Sequence, residues 1–220
     1  MARVFLRSDV HAATLGEDVI LLDIAADAYL SLPGAGTQFQ VDARTGAVDA
    51  LGRDVADDLV NAGLAQLTPL STPRWPSPPL LPQRGVDLAM PVAPLTARDL
   101  LRLMGCLLDL ARFYRGQPFS KILAFARQAR ARAPHDASPC DLHDVVRRYH
   151  AAAIWLPAPG KCLVRSFLLL RFLHRCGHDA VWVIGARTWP FTAHCWLQVG
   201  DVALDDAPER LVSYQPICAV

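Results

Sequence analysis

Between residues 69 and 94 the chain carries Pro69, Pro73, Pro76, Pro78, Pro79, Pro82, Pro91 and Pro94, close to half of its 17 prolines. Proline has no amide hydrogen to give and its ring fixes φ, so this density admits neither a helix nor a central strand. The chain is therefore expected to divide there. Residues 1–68 and 95–220 read as two modules joined by an extended, semi-rigid linker over 69–94, with Trp75, Leu80 and Leu81 available to dock on one of them.

Each module has enough apolar material for a core, because 52% of the 220 residues are hydrophobic, yet no uninterrupted apolar run is long enough to span a bilayer. The 22 basic residues against 21 acidic ones, net +1, give no electrostatic case for nucleic acid or for a membrane surface. The start Met1-Ala2-Arg3-Val4-Phe5 lacks the long apolar core of a signal peptide. A cytoplasmic location is expected, where thiols stay reduced. The cysteines at 106, 140, 162, 176, 195 and 218 show no framework spacing and are read as free. His174, Cys176 and His178 cluster within five residues, but no second cluster closes a coordination sphere, so neither a metal nor a cofactor is expected.

In the first module, His11–Leu15 and Val19–Ile24 are strand-like runs around a turn at Gly16-Glu17-Asp18, and Ala28–Leu32 is a third. Helices are expected over Thr37–Val41, Val48–Leu51 and Asp54–Ala62, the last with Val55, Leu59 and Val60 at helical spacing and Gly63 as its stop. In the second, Thr96 can cap a helix whose buried face is marked by Leu100, Leu103, Leu107, Leu110 and Phe113. Helices follow over Pro118–Arg132 and from Ser138-Pro139 through Tyr149. The arginines Arg127, Arg130 and Arg132 read as an ordinary solvated face.

The chemistry lies beyond these helices. Pro157 and Pro159 fix an extended approach, Gly160 turns the chain, and Leu163, Phe167, Leu170 and Leu173 then define a helix over 162–176. Cys162 falls in its first turn, where unpaired amides and the positive end of the macrodipole favour a thiolate, while Cys176 falls in the last, where they do not. A lone thiol in an apolar helix ordinarily just packs. What changes the reading is order: His194 follows on a strand, and Asp205-Asp206 follow that, giving nucleophile, base and orienter.

The segments Ile154-Trp155-Leu156-Pro157, Lys161-Cys162-Leu163-Val164-Arg165-Ser166, Val183–Arg187, Pro190–Val199 and Leu204–Pro208 resemble the transglutaminase-like leader peptidases of lasso-peptide biosynthesis, the B proteins, over about residues 95 to 216. The resemblance implies a papain-like or transglutaminase-like α+β domain with Cys162 as nucleophile, His194 as base and Asp206 as orienter. The family usually has a small residue where this chain has Cys195, a second thiol open to oxidation. Residues 1–68 resemble, more loosely, the winged helix-turn-helix-like recognition element that binds leader peptides. There the leader adds as a strand beside the third strand and packs on the third helix. That implies a binding surface of Tyr29, Leu30, Leu32, Val55 and Leu59. The partners implied are a lasso precursor peptide, through its leader, and an ATP-dependent macrolactam synthetase.

Two points stay open on the residues alone. If Gly200-Asp201 is a hairpin turn pairing Val199 with Val202, a regular ladder puts Asp205 on the face of His194, whereas the family match favours Asp206 and needs a bulge. Among oxyanion donors, the Cys162 amide is one, and Trp155 and Trp196 are candidates for the second. The function implied is a cysteine endopeptidase that removes a leader. A non-catalytic peptide-binding chaperone and a transglutaminase-type acyl transferase are the alternatives.

Overall fold

The computed structural model describes residues 2–37, 39–42, 45–50, 53–70, 76–91, 94–130, 139–156 and 161–220. In chain order its elements are β1 (Ala2–Leu6), β2 (Val10–Leu15), β3 (Asp18–Asp23), β4 (Ala28–Leu32), β5 (Phe39–Val41), β6 (Ala47–Ala50), α1 (Arg53–Asn61), β7 (Ala65–Gln66) and β8 (Arg84–Gly85). There follow α2 (Ala97–Phe113), α3 (Phe119–Arg130), α4 (Pro139–Ala153), α5 (Cys162–Arg175), β9 (Val181–Arg187), β10 (Thr192–Val199), β11 (Val202–Ala203), α6 (Pro208–Leu211) and β12 (Gln215–Ala219). The approach at Pro157, Pro159 and Gly160, as well as Trp75, Arg132, Ser138 and Leu51, lie outside the described residues. The chain forms two compact units: residues 1–79 with 184–193 and 214–219, and residues 80–183 with 194–213 and 220.

In the first unit β2, β3 and β4 form an antiparallel sheet in that order. The β2–β3 turn is the two-residue loop Gly16-Glu17, with Gly16 at φ 60° in the left-handed conformation that a side chain disfavours. As the middle strand, β3 is buried along its whole length, and its terminal carboxylates are satisfied locally. Asp23 accepts from the amides of Ala25 and Ala26 (3.0 and 3.1 Å) and from Arg7 (2.9 Å), and Asp18 accepts from the Gly34 amide (3.0 Å).

The second sheet of this unit runs β5-β6-β1-β7, and it corrects two of the expected helices. Thr37–Val41 contains β5, and Val48–Leu51 overlaps β6 through Ala50, the two strands being paired Phe39↔Ala50 to Val41↔Val48. The period decides it: Phe39 and Val48 are buried while Gln40 and Asp49 are exposed, an alternation that a strand on a core satisfies and a helix does not. Gly46 at φ 71° closes the connection, with the Gly46 amide donating to Asp42 O at 2.7 Å. Of the three helices expected before residue 68, only α1 is present among the described residues, so the winged-helix pattern of three strands and three helices is not what these residues form. α1 buries Ala56 and Leu59 in a core with Val4, Leu6, Val10, Val19, Leu21, Phe39 and Val48. It stops at Gly63 (φ 68°), where the amides of Gly63 and Leu64 return to Val60 O and Leu59 O, the double bond of a Schellman end.

The second unit is built around α5, which packs against α2, α3 and α4. Ser166 to Leu170, Phe172 and Leu173 are all buried, a wider face than the single stripe expected. Phe167 meets Tyr114, Phe125 and Trp182, and Phe172 meets Tyr149. Thr96 and Asp99 form a reciprocal capping box at the start of α2. The buried face of that helix is rotated from the expected one: Leu100 is exposed, and Asp99, Leu103, Cys106 and Asp109 point inward. Acidic side chains can face inward because arginines meet them. Arg171 and Arg175 of α5 both donate to Asp109 Oδ2 at 2.8 Å, and Arg102 and Arg148 flank Asp99.

The third sheet has the order β12-β9-β10-β11-β8. The β10–β11 hairpin pairs Val199↔Val202 and Gln198↔Ala203 around Gly200, and β8 lies parallel to β11 as the edge strand. The proline-rich stretch thus contributes a strand where proline neighbours are tolerated, at an edge. Leu80 does not dock its side chain, which is 90% exposed; its carbonyl accepts from Gln198 instead. No helix among the described residues is long and apolar enough to cross a membrane.

Candidate active site

Cys162 is the first residue of α5, half-buried, with Lys161 as the flanking residue and no side chain capping the helix end. The first returning amides are those of Val164 and Arg165, which donate to Lys161 O at 3.1 and 3.2 Å. The amides of Cys162 and Leu163 therefore precede the helical ladder, and among the described residues they have no intrahelical acceptor, the position from which an oxyanion can be met.

β10 supplies the imidazole. His194 Nε2 lies 2.6 Å from Asp206 Oδ2, which leaves Nδ1 as the ring nitrogen for Cys162. Asp206 is held in turn, its Oδ1 accepting from the Ala207 amide at 2.8 Å and pairing with Arg210 at 3.2 Å. No bulge is involved in bringing Asp206 to His194. β11 ends at Ala203, and Leu204 to Asp206 bend away from the ladder once Leu204 has donated to Leu197 O.

Asp205 turns the other way. Its Oδ1 accepts from the Leu197 amide at 2.8 Å and its Oδ2 from Ser166 Oγ at 2.5 Å, so it ties β10 to α5 one turn beyond Cys162. Burial pushes its carboxyl up to about 6, against the pull of those two donors. Cys195 is buried, its carbonyl 3.5 Å and its Sγ 3.9 Å from Ser166 Oγ, whose hydrogen goes to Asp205. α4 braces the segment from outside: His150 Nε2 lies 3.0 Å from Leu204 O, and Tyr149 Oη donates to Arg165 O at 3.4 Å. Burial lowers the His150 pKa, so the neutral ring donates to that carbonyl.

These contacts set the charges. A hydrogen bond from Cys195 and another from His194 hold the Cys162 thiol down at about 4, outweighing its partial burial. Burial works against a charged His194, but its bonds to Cys162 and Asp206 prevail and raise it above the usual imidazole value. Both shifts favour the thiolate–imidazolium pair over the neutral one. Cys176 is pushed up by burial, with Arg102 and Arg148 countering in part, so burial rather than the helix end is the leading cause of its upward shift.

Sequence reading reached Cys162, His194 and Asp206, and the structure brings these three together. It missed Ser166, although a lone hydroxyl four residues after the thiol in an otherwise apolar run is a legible signal, and it gave Cys195 no part beyond oxidation. Trp196 is unavailable as an oxyanion donor because its indole N–H is bound to Gln198 Oε1 at 2.8 Å in the core, and Trp155 is 82% exposed. Of the proposed peptide-binding residues, Leu30 is exposed and Tyr29 packs on Phe191 at 5.4 Å, whereas Leu59 is 3% exposed and belongs to the core. His174 lies against Arg171 and Asp179, and no group of three or more metal-ligand side chains is found among the described residues.

A thiol at the head of a buried helix, with an imidazole on the adjoining sheet and a carboxylate in the bend that follows β11, sits in an α+β unit. Residues 104–219 match the family model of the transglutaminase-like superfamily, and the chain belongs to that superfamily. It is also similar to the microcin J25-processing protein McjB of Escherichia coli, with 47% identity over 47 residues, 21% of this chain and 23% of that protein. The match thus spans about a quarter of that relative's length. No solved structure matches the chain.

Proposed function

We propose that this protein is a cysteine endopeptidase that removes the leader from a lasso-peptide precursor. The observation that carries the reading is the contact of His194 with Asp206 at 2.6 Å, with Cys162 at the head of α5 as the thiol that this imidazole pulls toward the thiolate. The Cys162 thiolate attacks the scissile carbonyl, and the amides of Cys162 and Leu163 receive the negative oxygen. His194, protonated in the resting pair, delivers its proton to the departing amine, and the acyl group remains on Cys162 as a thioester. His194 then takes a proton from water, whose oxygen displaces the thiolate. Asp206 keeps the ring oriented with Nδ1 toward sulfur throughout.

The freed core peptide has a new amino group, the nucleophile that an ATP-dependent macrolactam synthetase needs, and such a synthetase is the proposed partner. We assign leader binding to the first unit, along the open edge of β4. That strand pairs with β3 on one side and has no strand on the other among the described residues, which supports addition of an extended peptide there. Tyr29, Leu30 and Leu32 would meet the leader together with Val55 of α1, while Leu59 supports α1 from beneath. Membership of the transglutaminase-like superfamily favours one second reading, transfer of the acyl group to an amine instead of water.

Mass spectrometry of a lasso precursor incubated with the purified protein tests this. Two fragments summing to the precursor plus one water support the peptidase. An amide-linked adduct would favour acyl transfer, and an unchanged precursor would favour a peptide-binding chaperone.

A further inference from the structure

A strand added to the edge of β4 has two faces, and the leader site described above gives a partner to one of them. Side chains alternate across a sheet, so Leu30 and Leu32, opposite Leu21 and Val19, share the face that packs on α1, with Val19, Leu21, Ala56 and Leu59 in one core. Tyr29, opposite Leu22, lies on the other face, as does Asp18 by the same alternation along β3. The connection between β9 and β10, residues 188–191, belongs to the same compact unit and meets that second face. Phe191 packs on Tyr29 at 5.4 Å, and the Trp189 indole N–H donates to Asp18 Oδ2 at 2.8 Å. Asp18 is itself buried, and its Oδ1 accepts from the amide of Gly34, just after β4. Both aromatic side chains are thus anchored beside β4, yet Trp189 remains 79% exposed and Phe191 47%.

Trp189 has φ 55°, in the left-handed region that a bulky side chain seldom adopts and that persists only where surrounding contacts impose it. A large ring with its one donor committed and its backbone fixed, left mostly in solvent, buries little apolar surface in the free protein. We propose that Trp189 and Phe191 form a second wall of the leader site, taking the apolar side chains of the added strand that point away from α1. This rests on the reading that the leader pairs with β4. The open edge calls for an extended chain, and the two faces set its side chains. One alternate set of residues meets Leu30, Leu32 and Val55, and the intervening set meets Phe191 and Trp189. The occupant is therefore an extended peptide with apolar residues on both faces, unlike the strand of a half-solvated sheet, which keeps one face polar. Rigid aromatic rings suit this task, since they offer contact area at little cost in conformational freedom.

The test titrates the full-length protein with a fluorescein-labelled synthetic leader of a lasso precursor, read by fluorescence anisotropy. Trp189→Ala and Phe191→Ala should each raise Kd about tenfold, the loss of a well-packed aromatic anchor. Repeating the titration with leaders that carry single alanines adds a readout that misfolding does not imitate. In Trp189→Ala, alanines in one alternate set of leader positions should cost nothing further, while alanines in the other set should cost as much as they do in wild type. Unchanged affinity in both aromatic variants, or equal loss of sensitivity in both sets, would overturn the proposal. Leu30→Pro separates it from the pairing of the leader with β4. Weak binding in Leu30→Pro with full binding in the aromatic variants strikes the second wall alone, and full binding in Leu30→Pro strikes the edge pairing and the wall with it.

Discussion

Asp205 and Asp206 are neighbours in sequence with the same side chain, and the bend after Ala203 sends them to opposite jobs. Replacing Asp206 by Asn should lower kcat by roughly 10²–10⁴, because an amide at that position favours the wrong imidazole tautomer. Asp205→Asn leaves the His194 contact intact and should cost much less turnover; steady-state kinetics of the two variants decides the matter. The pH profile follows from the two partners of the ion pair. Thiolate forms as pH rises through about 4 and the imidazolium is lost above the ordinary imidazole value, so kcat/KM should be bell-shaped with its acidic limb near 4. Asp205 does not supply that limb by unfolding. Its folded pKa, about 6, lies above the unfolded carboxyl value, so its contribution to stability grows as pH falls from about 6 toward 4. Chain order and helix position made Cys162 and His194 legible. The choice between the aspartates was not legible to alternation, since it depends on where a two-residue strand ends.

At the scale of elements, the strands of the first sheet were readable wherever a turn glycine bounded an apolar run, as at Gly16. Thr37–Val41 and Val48–Leu51 misled because each is too short for a helical period to be told from an alternating one. The face of α2 misled differently. A pattern search counts leucines, but this helix buries Asp109 and leaves Leu100 exposed, since the arginines that pay for the buried carboxylate sit on another helix. Asp109→Ala should therefore destabilise the protein by about 3–5 kcal/mol, read as a lower urea midpoint, because Arg171 and Arg175 lose their shared acceptor. On β4, Leu30→Pro removes a backbone donor from the strand and should weaken leader affinity in a titration while leaving Cys162 alkylation unchanged.

For the molecule as a whole, the proline-rich stretch reads as a boundary, but the two compact units are not contiguous in sequence. The first unit takes in residues 184–193 and 214–219, far beyond any boundary that local composition reveals. Within it, β12 packs on β2, and Ile184, Ala186, Ile217 and Cys218 are all buried. A fragment ending at residue 79 therefore lacks part of its own unit, and hydrogen exchange should show weaker protection of β2 in that fragment than in the full chain. Recognition and catalysis are consequently best tested on the intact protein. The most direct measurement compares wild type with Cys162→Ala on one lasso precursor, following fragments by mass spectrometry and leader binding by titration. The account predicts two fragments from wild type and none from the variant, with leader affinity nearly equal in the two. Equal cleavage by Cys162→Ala would contradict it.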